Sequence, residues 1–235
     1  MRQLRRSFER GHFDFGWLKT YHSFSFGEYF DPNHTQWGAL RVINEDFVAP
    51  GEGFPTHGHR NMEIITYVLE GALEHKDSMG NGSIIKPGDI QYMSAGEGVR
   101  HSEFNAEKNM STHLLQIWIL PNIEGDKPLY DQKFFSENQK KNKFCLLASE
   151  DGREGSIKIR QNAQVLASRL EPGKSLDWNS LKDRSVWIHV IEGNLELGEF
   201  RLEPGDAFGI ANEDSKLILK SVGKETAHFL LFETP

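Results

Sequence analysis

Apolar residues along the chain come in short runs, which Gly, Pro, Asn and Asp interrupt. Examples of such runs are residues 39–43 (ALRVI), 63–69 (EIITYVL), 113–120 (HLLQIWIL), 186–191 (VWIHVI) and 228–232 (HFLLF). They are rich in Ile, Val, Tyr, Phe and Trp, side chains that suit the pleated surface of a β-sheet. Because turn residues recur too often for long helices, the pattern predicts an all-β protein built as a sandwich or barrel.

The same order of signals occurs twice along the chain. Residues 68–71 (VLEG) precede residues 86–89 (KPGD), and residues 190–193 (VIEG) precede residues 203–206 (EPGD). Each copy indicates a strand that ends at Glu-Gly, a hairpin, and a Pro-Gly-Asp turn that begins the next strand. Both short motifs are common in turns, so the matching order, the similar spacing and the flanking apolar runs carry the argument. Together they indicate a duplicated fold.

This duplication predicts the domain organisation. We expect a first barrel at residues 1–135 and a second barrel at residues 136–235, separated in the polar stretch 136–143 (SENQKKNK). A chain of 235 residues is long enough for this arrangement, because a single-core domain typically holds about 100–150 residues.

Two pairs of potential metal ligands lie about forty residues apart. His57 and His59 flank Gly58, and His101 and Glu103 follow a Gly-rich turn. Side chains two apart on a strand point to the same side, so each pair can face one cavity. If the two strands are neighbours, the imidazoles and the carboxylate converge as a donor set that suits Fe, Ni, Cu or Zn. Each pair taken alone is better explained as exposed loop residues. The prediction therefore depends on the context that the pairs share, namely the turn residues beside them and the intervening strands of hairpin length.

These pairs lie within a longer stretch that resembles the first cupin barrel of the pirin family. The resemblance is dense from about residue 8 to 135 and looser beyond. It includes residues 9–32 (ERGHFDFGWLKTYHSFSFGEYFDP), 37–46 (WGALRVINED), 51–105 and 116–121 (QIWILP). The general cupin patterns also fit, with Gly51 ahead of the first histidine pair and with Asn105 after the second pair.

The resemblance implies the fold and the ligands. Pirins consist of two tandem cupin barrels (double-stranded β-helix, or jelly-roll, barrels), and only the first binds a metal. The matching ligands here are His57, His59, His101 and Glu103. Glu63 stands where many other cupins place their carboxylate ligand, and we interpret it as a hydrogen-bonded strand residue. Gly58 replaces the Pro that pirins commonly have there, which removes a rigid link but no ligand.

The remaining histidines receive other interpretations. The second barrel has no pair like that of the first, so we expect His189 and His228 to bind no metal and this barrel to have a structural role. Five histidines are assigned ordinary packing or surface roles: His12, His22, His34, His75 and His113. His75 is the first exception to consider, because it follows the metal-side strand by one hairpin.

The resemblance also implies an activity. Pirin-like proteins include quercetinases, so we expect a metal-dependent dioxygenase that cleaves flavonols such as quercetin with O2 and releases carbon monoxide. The cofactor would be one divalent metal cation, with Fe(II) favoured and Ni, Cu, Mn or Zn as alternatives. The metal would acidify the bound hydroxyl of a small aromatic substrate, and Glu103 would act as the catalytic base.

Two other functions stay open from the sequence. The resemblance also implies a regulatory protein that binds a protein partner according to the state of its metal, and the acidic chain suits such a partner. A cupin isomerase for a phosphorylated sugar is the weaker alternative. This chain has no phosphate-binding Gly-Lys-Ser/Thr loop, which argues against an isomerase, although Arg60 or Arg100 could bind an anion.

Charge and composition exclude other classes. A net charge of −7 argues against a general nucleic-acid binder, because such proteins neutralise phosphates. No segment reaches the roughly 18 apolar residues of a membrane helix, and the N-terminal residues lack the apolar stretch of a signal peptide. The single Cys145 excludes an intrachain disulfide and a multi-cysteine zinc site. We therefore expect a soluble, cytoplasmic protein.

Overall fold

The computed structural model describes residues 1–235, and β-strands make up nearly all of its regular structure. The strands of the first half are β1 (Arg2–Arg5), β2 (Gly11–Asp14), β3 (Leu18–His22), β4 (Leu40–Val48), β5 (Gly53–His59), β6 (Glu63–Glu70), β7 (Leu73–Asp77), β8 (Gly82–Ile85), β9 (Asp89–Ser94), β10 (Val99–Asn105), β11 (Thr112–Ile119) and β12 (Leu129–Phe134). The strands of the second half are β13 (Cys145–Ser149), β14 (Ile157–Lys158), β15 (Gln164–Leu170), β16 (Ser175–Ser180), β17 (Ser185–Glu192), β18 (Asn194–Leu197), β19 (Phe200–Leu202), β20 (Ala207–Ala211), β21 (Ser215–Val222) and β22 (Ala227–Thr234).

Helical structure is limited to short connections. These are α1 (Glu137–Lys140) and two 3-10 turns at Ser7–Glu9 and Arg153–Gly155. No helix combines the length and the hydropathy that crossing a membrane requires.

Each half of the chain forms a seven-stranded sheet and a four-stranded sheet. In the first half the strand orders are β12-β9-β6-β11-β4-β3-β2 and β5-β10-β7-β8. In the second half they are β1-β20-β17-β22-β15-β13-β14 and β16-β21-β18-β19, where β1 is a strand that the first half contributes. The two halves therefore share one topology, in which β6 corresponds to β17, β9 to β20 and β5 to β16. The predicted all-β fold of two tandem cupin barrels is confirmed.

The repeated turn signals lie at equivalent corners of the two barrels. Gly71 and Gly193 follow β6 and β17 with φ of 78° and 66°, and Gly88 and Gly205 precede β9 and β20 with φ of 96° and 83°. Side chains disfavour this left-handed region, whereas Gly adopts it readily. The motif repeats because the same backbone turn is made twice.

The two seven-stranded sheets pack against each other. A cluster of 27 buried hydrophobic residues contains Tyr92 and Ile117 of the first sheet and Trp187 and Phe232 of the second. This shared cluster stabilises the pairing of the two barrels, because removing apolar side chains from water is favourable.

The interiors of the two barrels differ. Sixteen buried apolar residues fill the second barrel as one cluster. The first barrel has two small clusters instead, of six and four residues. Its interior also holds buried polar and charged side chains, such as Thr66, His75, Gln91, His101 and Glu103. Burying polar groups costs free energy, so a cluster of them in a barrel interior indicates a functional site rather than a packing core.

The predicted domain boundary between residues 135 and 136 stays a prediction. It falls between β12 and α1, and one strand of the first half crosses it. β1 pairs antiparallel with β20, with Leu4 opposite Phe208. In the second sheet, β1 occupies the edge position that β12 occupies in the first.

Candidate metal centre

The two predicted ligand pairs lie on neighbouring antiparallel strands. β10 pairs with β5 so that His101 is opposite His57 and Val99 is opposite His59. The ring centroids are 4.5 Å apart for His57 and His101 and 4.8 Å apart for His59 and His101. Their ligand nitrogens lie within 4.8 Å of one another. The structure therefore brings together the three imidazoles that alternation placed on one side of each strand.

The protonation of these imidazoles suits a cation. Burial lowers the pKa of His59 to about 4 and the pKa of His101 to about 3, with the neighbouring histidines adding to both shifts. His57 Nδ1 lies 2.8 Å from the carbonyl oxygen of Pro55, to which it donates its proton. Its Nε2 lone pair then points toward His101 Nε2, 3.1 Å away.

Glu103 lies inside the barrel next to the three histidines. Its side chain is buried, and Gln116 Nε2 donates to Oε2 at 3.0 Å. Thr66 Oγ1 lies 3.4 Å from Oε1 but only 3.1 Å from Gln116 Oε1, which is the better acceptor for its single proton. A β-bulge between His101 and Glu103 places Glu103 opposite Phe54. Glu103 belongs to a second group of close ligand atoms, with His75 and His101, rather than to the group formed by the three histidines of β5 and β10.

A glycine makes this bulge possible. A Cβ at Gly53 would collide with the backbone oxygen of Glu103 and would lie 2.5 Å from Phe104 Cα. At Gly58, by contrast, a Cβ would only reach ordinary van der Waals contact with Val99 and Arg100. Close approach of β5 to β10 at Gly53 therefore fixes where Glu103 lies.

His75, which the sequence analysis grouped with the packing histidines but named as the first exception, lies next to the site in the structure. β7 pairs with β10 on the side away from β5, with His75 opposite Glu103 and Asp77 opposite His101. His75 Nδ1 lies 3.5 Å from His101 Nδ1, and His75 Nε2 lies 3.3 Å from Asp77 Oδ2. A second alternating pair, His75 and Asp77, was the available signal.

These contacts define a chain of hydrogen bonds. Hydrogen bonds from Asn81 outweigh burial and hold the pKa of Asp77 below its ordinary value, so Asp77 is an acceptor. His75 therefore donates from Nε2 and accepts at Nδ1, where Gln91 Nε2 also lies at 3.0 Å. Gln91 Nε2 is the nearer donor to His75 Nδ1, and His101 Nδ1 lies 3.5 Å from the same atom. With a cation bound, a proton on His101 Nδ1 would be directed at this acceptor and the Nε2 lone pair would face the side of His57. Such outer partners commonly fix the tautomer of a metal-binding histidine.

Glu63 is held away from this cluster. It is buried and accepts hydrogen bonds from Ser94 Oγ at 2.6 Å, from the Arg160 backbone N–H at 2.9 Å, and from the Tyr92 hydroxyl. Its interpretation as a hydrogen-bonded strand residue is confirmed.

The other histidines lie outside the cluster. His12 stacks on Tyr21, His34 pairs with Asp31, and His113 pairs with Glu45. In the second half, His228 Nε2 lies 2.9 Å from the Tyr67 hydroxyl and His189 is buried.

The histidine cluster opens into a cavity of about 430 Å³. Glu103 and Gln116 line it together with the aromatic side chains of Phe26, Phe54 and Trp118. The Trp118 ring stands edge-on to His59, with centroids 5.0 Å apart. The chemistry of the donors fits a divalent cation: imidazole and carboxylate are ligands that first-row metals accept, and an aromatic wall beside them can shelter an organic substrate.

Two family models cover most of the chain. The model described as pirin matches residues 2–119, and the model described as quercetinase C-terminal cupin domain matches residues 146–234. A quercetin 2,3-dioxygenase of Escherichia coli K12 is 42% identical over 232 residues, which cover 99% of this chain and 98% of that protein. A pirin-like protein of Caulobacter vibrioides is 43% identical over 211 residues, covering 89% of this chain and 90% of that protein.

Solved structures of bacterial pirins are also similar to this chain over its whole length. The crystal structure of YhhW from Escherichia coli superposes with a TM-score of 0.95 at 40% identity, covering 100% of this chain and 98% of that one. A second structure, described as bacterial pirin YhhW in complex with nickel(II), gives a TM-score of 0.93 at 40% identity over 100% and 99% of the two chains.

Proposed function

The chain belongs to the pirin family, and from this premise we propose that it is a metal-dependent quercetin 2,3-dioxygenase, which cleaves flavonols such as quercetin with O2. One observation carries the proposal: three imidazoles meet at the wall of an aromatic cavity that a buried carboxylate also lines. The relative from Escherichia coli K12, which matches over nearly the whole chain, is named quercetin 2,3-dioxygenase.

We assign the metal ligands to His57, His59, His101 and Glu103. The low pKa values of His59 and His101 support this assignment, because their nitrogens stay unprotonated at neutral pH. The nickel complex of YhhW supports a cation in this class of barrel. We favour Fe(II) as the native metal, and Ni, Cu, Mn or Zn as alternatives that accept the same donors. When bound, the cation supplies Lewis acidity toward a coordinated substrate hydroxyl.

The protein side chains then manage the proton. Glu103 takes the proton of the hydroxyl on the central ring of the flavonol, which leaves an electron-rich enolate that can react with O2. Gln116, whose own amide oxygen accepts a hydrogen bond from Thr66, holds the carboxylate of Glu103 in place. The aromatic wall formed by Phe26, Phe54 and Trp118 excludes water from the exposed enolate.

The test uses protein loaded anaerobically with Fe(II) and, separately, with Ni(II). We expect quercetin absorbance to bleach, with equal consumption of O2 and release of carbon monoxide. Metal alone in buffer is the control, since flavonols oxidise slowly by themselves. Loaded protein that neither consumes O2 nor bleaches quercetin with any of the candidate metals would refute the proposal.

Variants separate the roles of the ligands. His57→Ala should lose bound metal, whereas His12→Ala, which changes an exposed histidine on another strand, should keep it. Glu103→Gln should keep metal and lower kcat by about 10²–10⁴-fold, the range typical for loss of a general base. Full activity in Glu103→Gln would remove Glu103 from its catalytic role.

A further inference from the structure

A second cavity, which we call the distal lobe, lies beside the cavity of the histidine cluster and shares part of its wall. The distal lobe has a volume of about 250 Å³ and shares Phe26, Asn44, Asp46 and Phe54 with the metal-side cavity. Its outer wall includes Phe13 and Phe15, whose rings stack with an interplanar angle of 5°. A planar group that enters from the metal side therefore meets aromatic faces.

The inner wall of the distal lobe carries a cluster of polar atoms that lack partners. Four buried atoms have no hydrogen bond at ordinary donor–acceptor distance: Thr20 Oγ1, His22 Nδ1, Asn44 Oδ1 and Asp46 Oδ1. Thr20 still lies near enough to Asp46, and the Phe26 backbone near enough to His22, for a weak interaction that shifts the pKa of each acid or base. Each of these residues is at most 6% exposed. Native proteins satisfy most buried polar atoms, because an unpaired one is costly. A cluster of them that lines one cavity therefore points to polar groups of a ligand.

The four side chains form one continuous patch. β3 pairs with β4 so that Thr20 is opposite Asp46 and His22 is opposite Asn44. Because positions two apart on a strand share a face, all four side chains project from the same face of the sheet.

The patch offers both donors and acceptors. Burial raises the pKa of Asp46 to about 7 against the opposing effect of the Thr20 hydroxyl, and the nearby carboxylates of Glu103 and Glu45 add to the rise. Burial also lowers the pKa of His22 to about 4, so its ring is neutral. A neutral imidazole, an amide, a hydroxyl and a carboxyl can each bond to a hydroxyl group, which both donates and accepts.

We propose that the distal lobe is a subsite for a hydroxylated aromatic ring of the substrate, whose hydroxyl groups bond to Thr20, Asn44 and Asp46 while the ring packs against Phe13 and Phe26. The identity of the substrate rests on the proposed flavonol dioxygenase function. A flavonol has a fused and a pendant ring besides the central hydroxyl, so one ring can occupy the lobe while that hydroxyl faces Glu103. The subsite then selects polyphenols over flavonols with bare outer rings.

The test compares quercetin with 3-hydroxyflavone, which keeps the central hydroxyl but has no hydroxyl on its outer rings. We expect Thr20→Val and Asp46→Leu each to lower kcat/KM for quercetin by about tenfold, as loss of one hydrogen bond to substrate implies. For 3-hydroxyflavone the same variants should change kcat/KM by less than about twofold. Flavonols hydroxylated on only one outer ring then show which ring enters the lobe.

Stability provides an independent readout. Thr20→Val removes a hydroxyl that makes no bond at ordinary distance and interacts only weakly with Asp46, so the melting temperature should change little. Ser221→Ala is the matched control, because Ser221 Oγ is also buried and unpartnered but lies in the second barrel. It should leave the kinetics with both substrates unchanged. A marked fall in the melting temperature of Thr20→Val would overturn the proposal by showing a structural bond.

The outcomes separate the subsite from the dioxygenase activity. If wild-type protein turns over both flavonols but the variants affect them equally or not at all, the subsite is refuted and the activity stands. If wild-type protein turns over neither, the activity fails, and anaerobic calorimetric titration tests the subsite alone. Tighter binding of quercetin than of 3-hydroxyflavone, lost in Asp46→Leu, supports it; equal binding refutes it.

Discussion

Replacing His75 tests whether the hydrogen-bonded chain behind His101 sets metal affinity. His75→Phe keeps a flat ring that can still stack on Tyr130, where the centroids are 5.1 Å apart. It removes the acceptor that faces His101 Nδ1 and the donor that faces Asp77. His101 then loses the contact that holds its proton on Nδ1, so its Nε2 lone pair is no longer fixed toward His57.

The size of the effect follows from the distances. Loss of an outer-shell partner typically lowers metal affinity by about 10- to 100-fold. The Nδ1–Nδ1 distance of 3.5 Å is long for a hydrogen bond, so we expect the lower end of this range. A tenfold loss corresponds to about 1.4 kcal/mol of binding free energy. Asp77 keeps its bond from Asn81 at 2.9 Å, which limits the loss of stability.

The assay titrates Ni(II) into apo protein against a chelator of known affinity, for the wild type, His75→Phe and His12→Phe. His12→Phe is the matched control, because His12 is exposed and stacks on Tyr21 outside the cluster. An affinity within about twofold of wild type in folded His75→Phe would refute the orienting role. Complete loss of metal, as expected for His57→Ala, would also refute it by making His75 a direct ligand.

Two further predictions concern stability and packing. Between pH 6.5 and 4 the unfolded chain protonates His189 while the folded state, in which burial lowers its pKa to about 4, does not. The free energy of unfolding of apo protein should therefore fall as pH decreases through this window. Urea titrations should show a shallower fall in His189→Leu, and an equally steep one would contradict the assignment. Gly53→Ala should push β5 away from β10 at Glu103, weaken metal binding and destabilise the fold by about 1–3 kcal/mol. Gly58→Ala has room for its methyl group and should bind metal like the wild type in the same titration.

Local periodicity carried much of what could be predicted. The alternation of His57 with His59 and of His101 with Glu103 needs only an extended backbone, in which every second side chain shares a face. The turn motifs that repeat in the two halves needed only the conformational freedom of Gly, and the structure shows the same left-handed turns at Gly71 and Gly193. These are properties of a few neighbouring residues, so the amino-acid order suffices to predict them.

Pairing between distant strands could not be predicted in this way. β1 lies beside β20, although about two hundred residues separate them. β7 lies beside β10, which brings His75 and Asp77 behind His101. Such register depends on which buried faces pack together in the whole core, and a shift of one residue would turn every side chain to the other face.

The amino-acid sequence by itself therefore determined the all-β class, the duplication and the two candidate ligand pairs, because each depends on short-range geometry. Only the tertiary structure decided that Glu103 lies past a bulge made possible by Gly53, and that Thr20, His22, Asn44 and Asp46 line one cavity. Those features arise where strands far apart in the chain meet, and the packing of the barrels fixes where they meet.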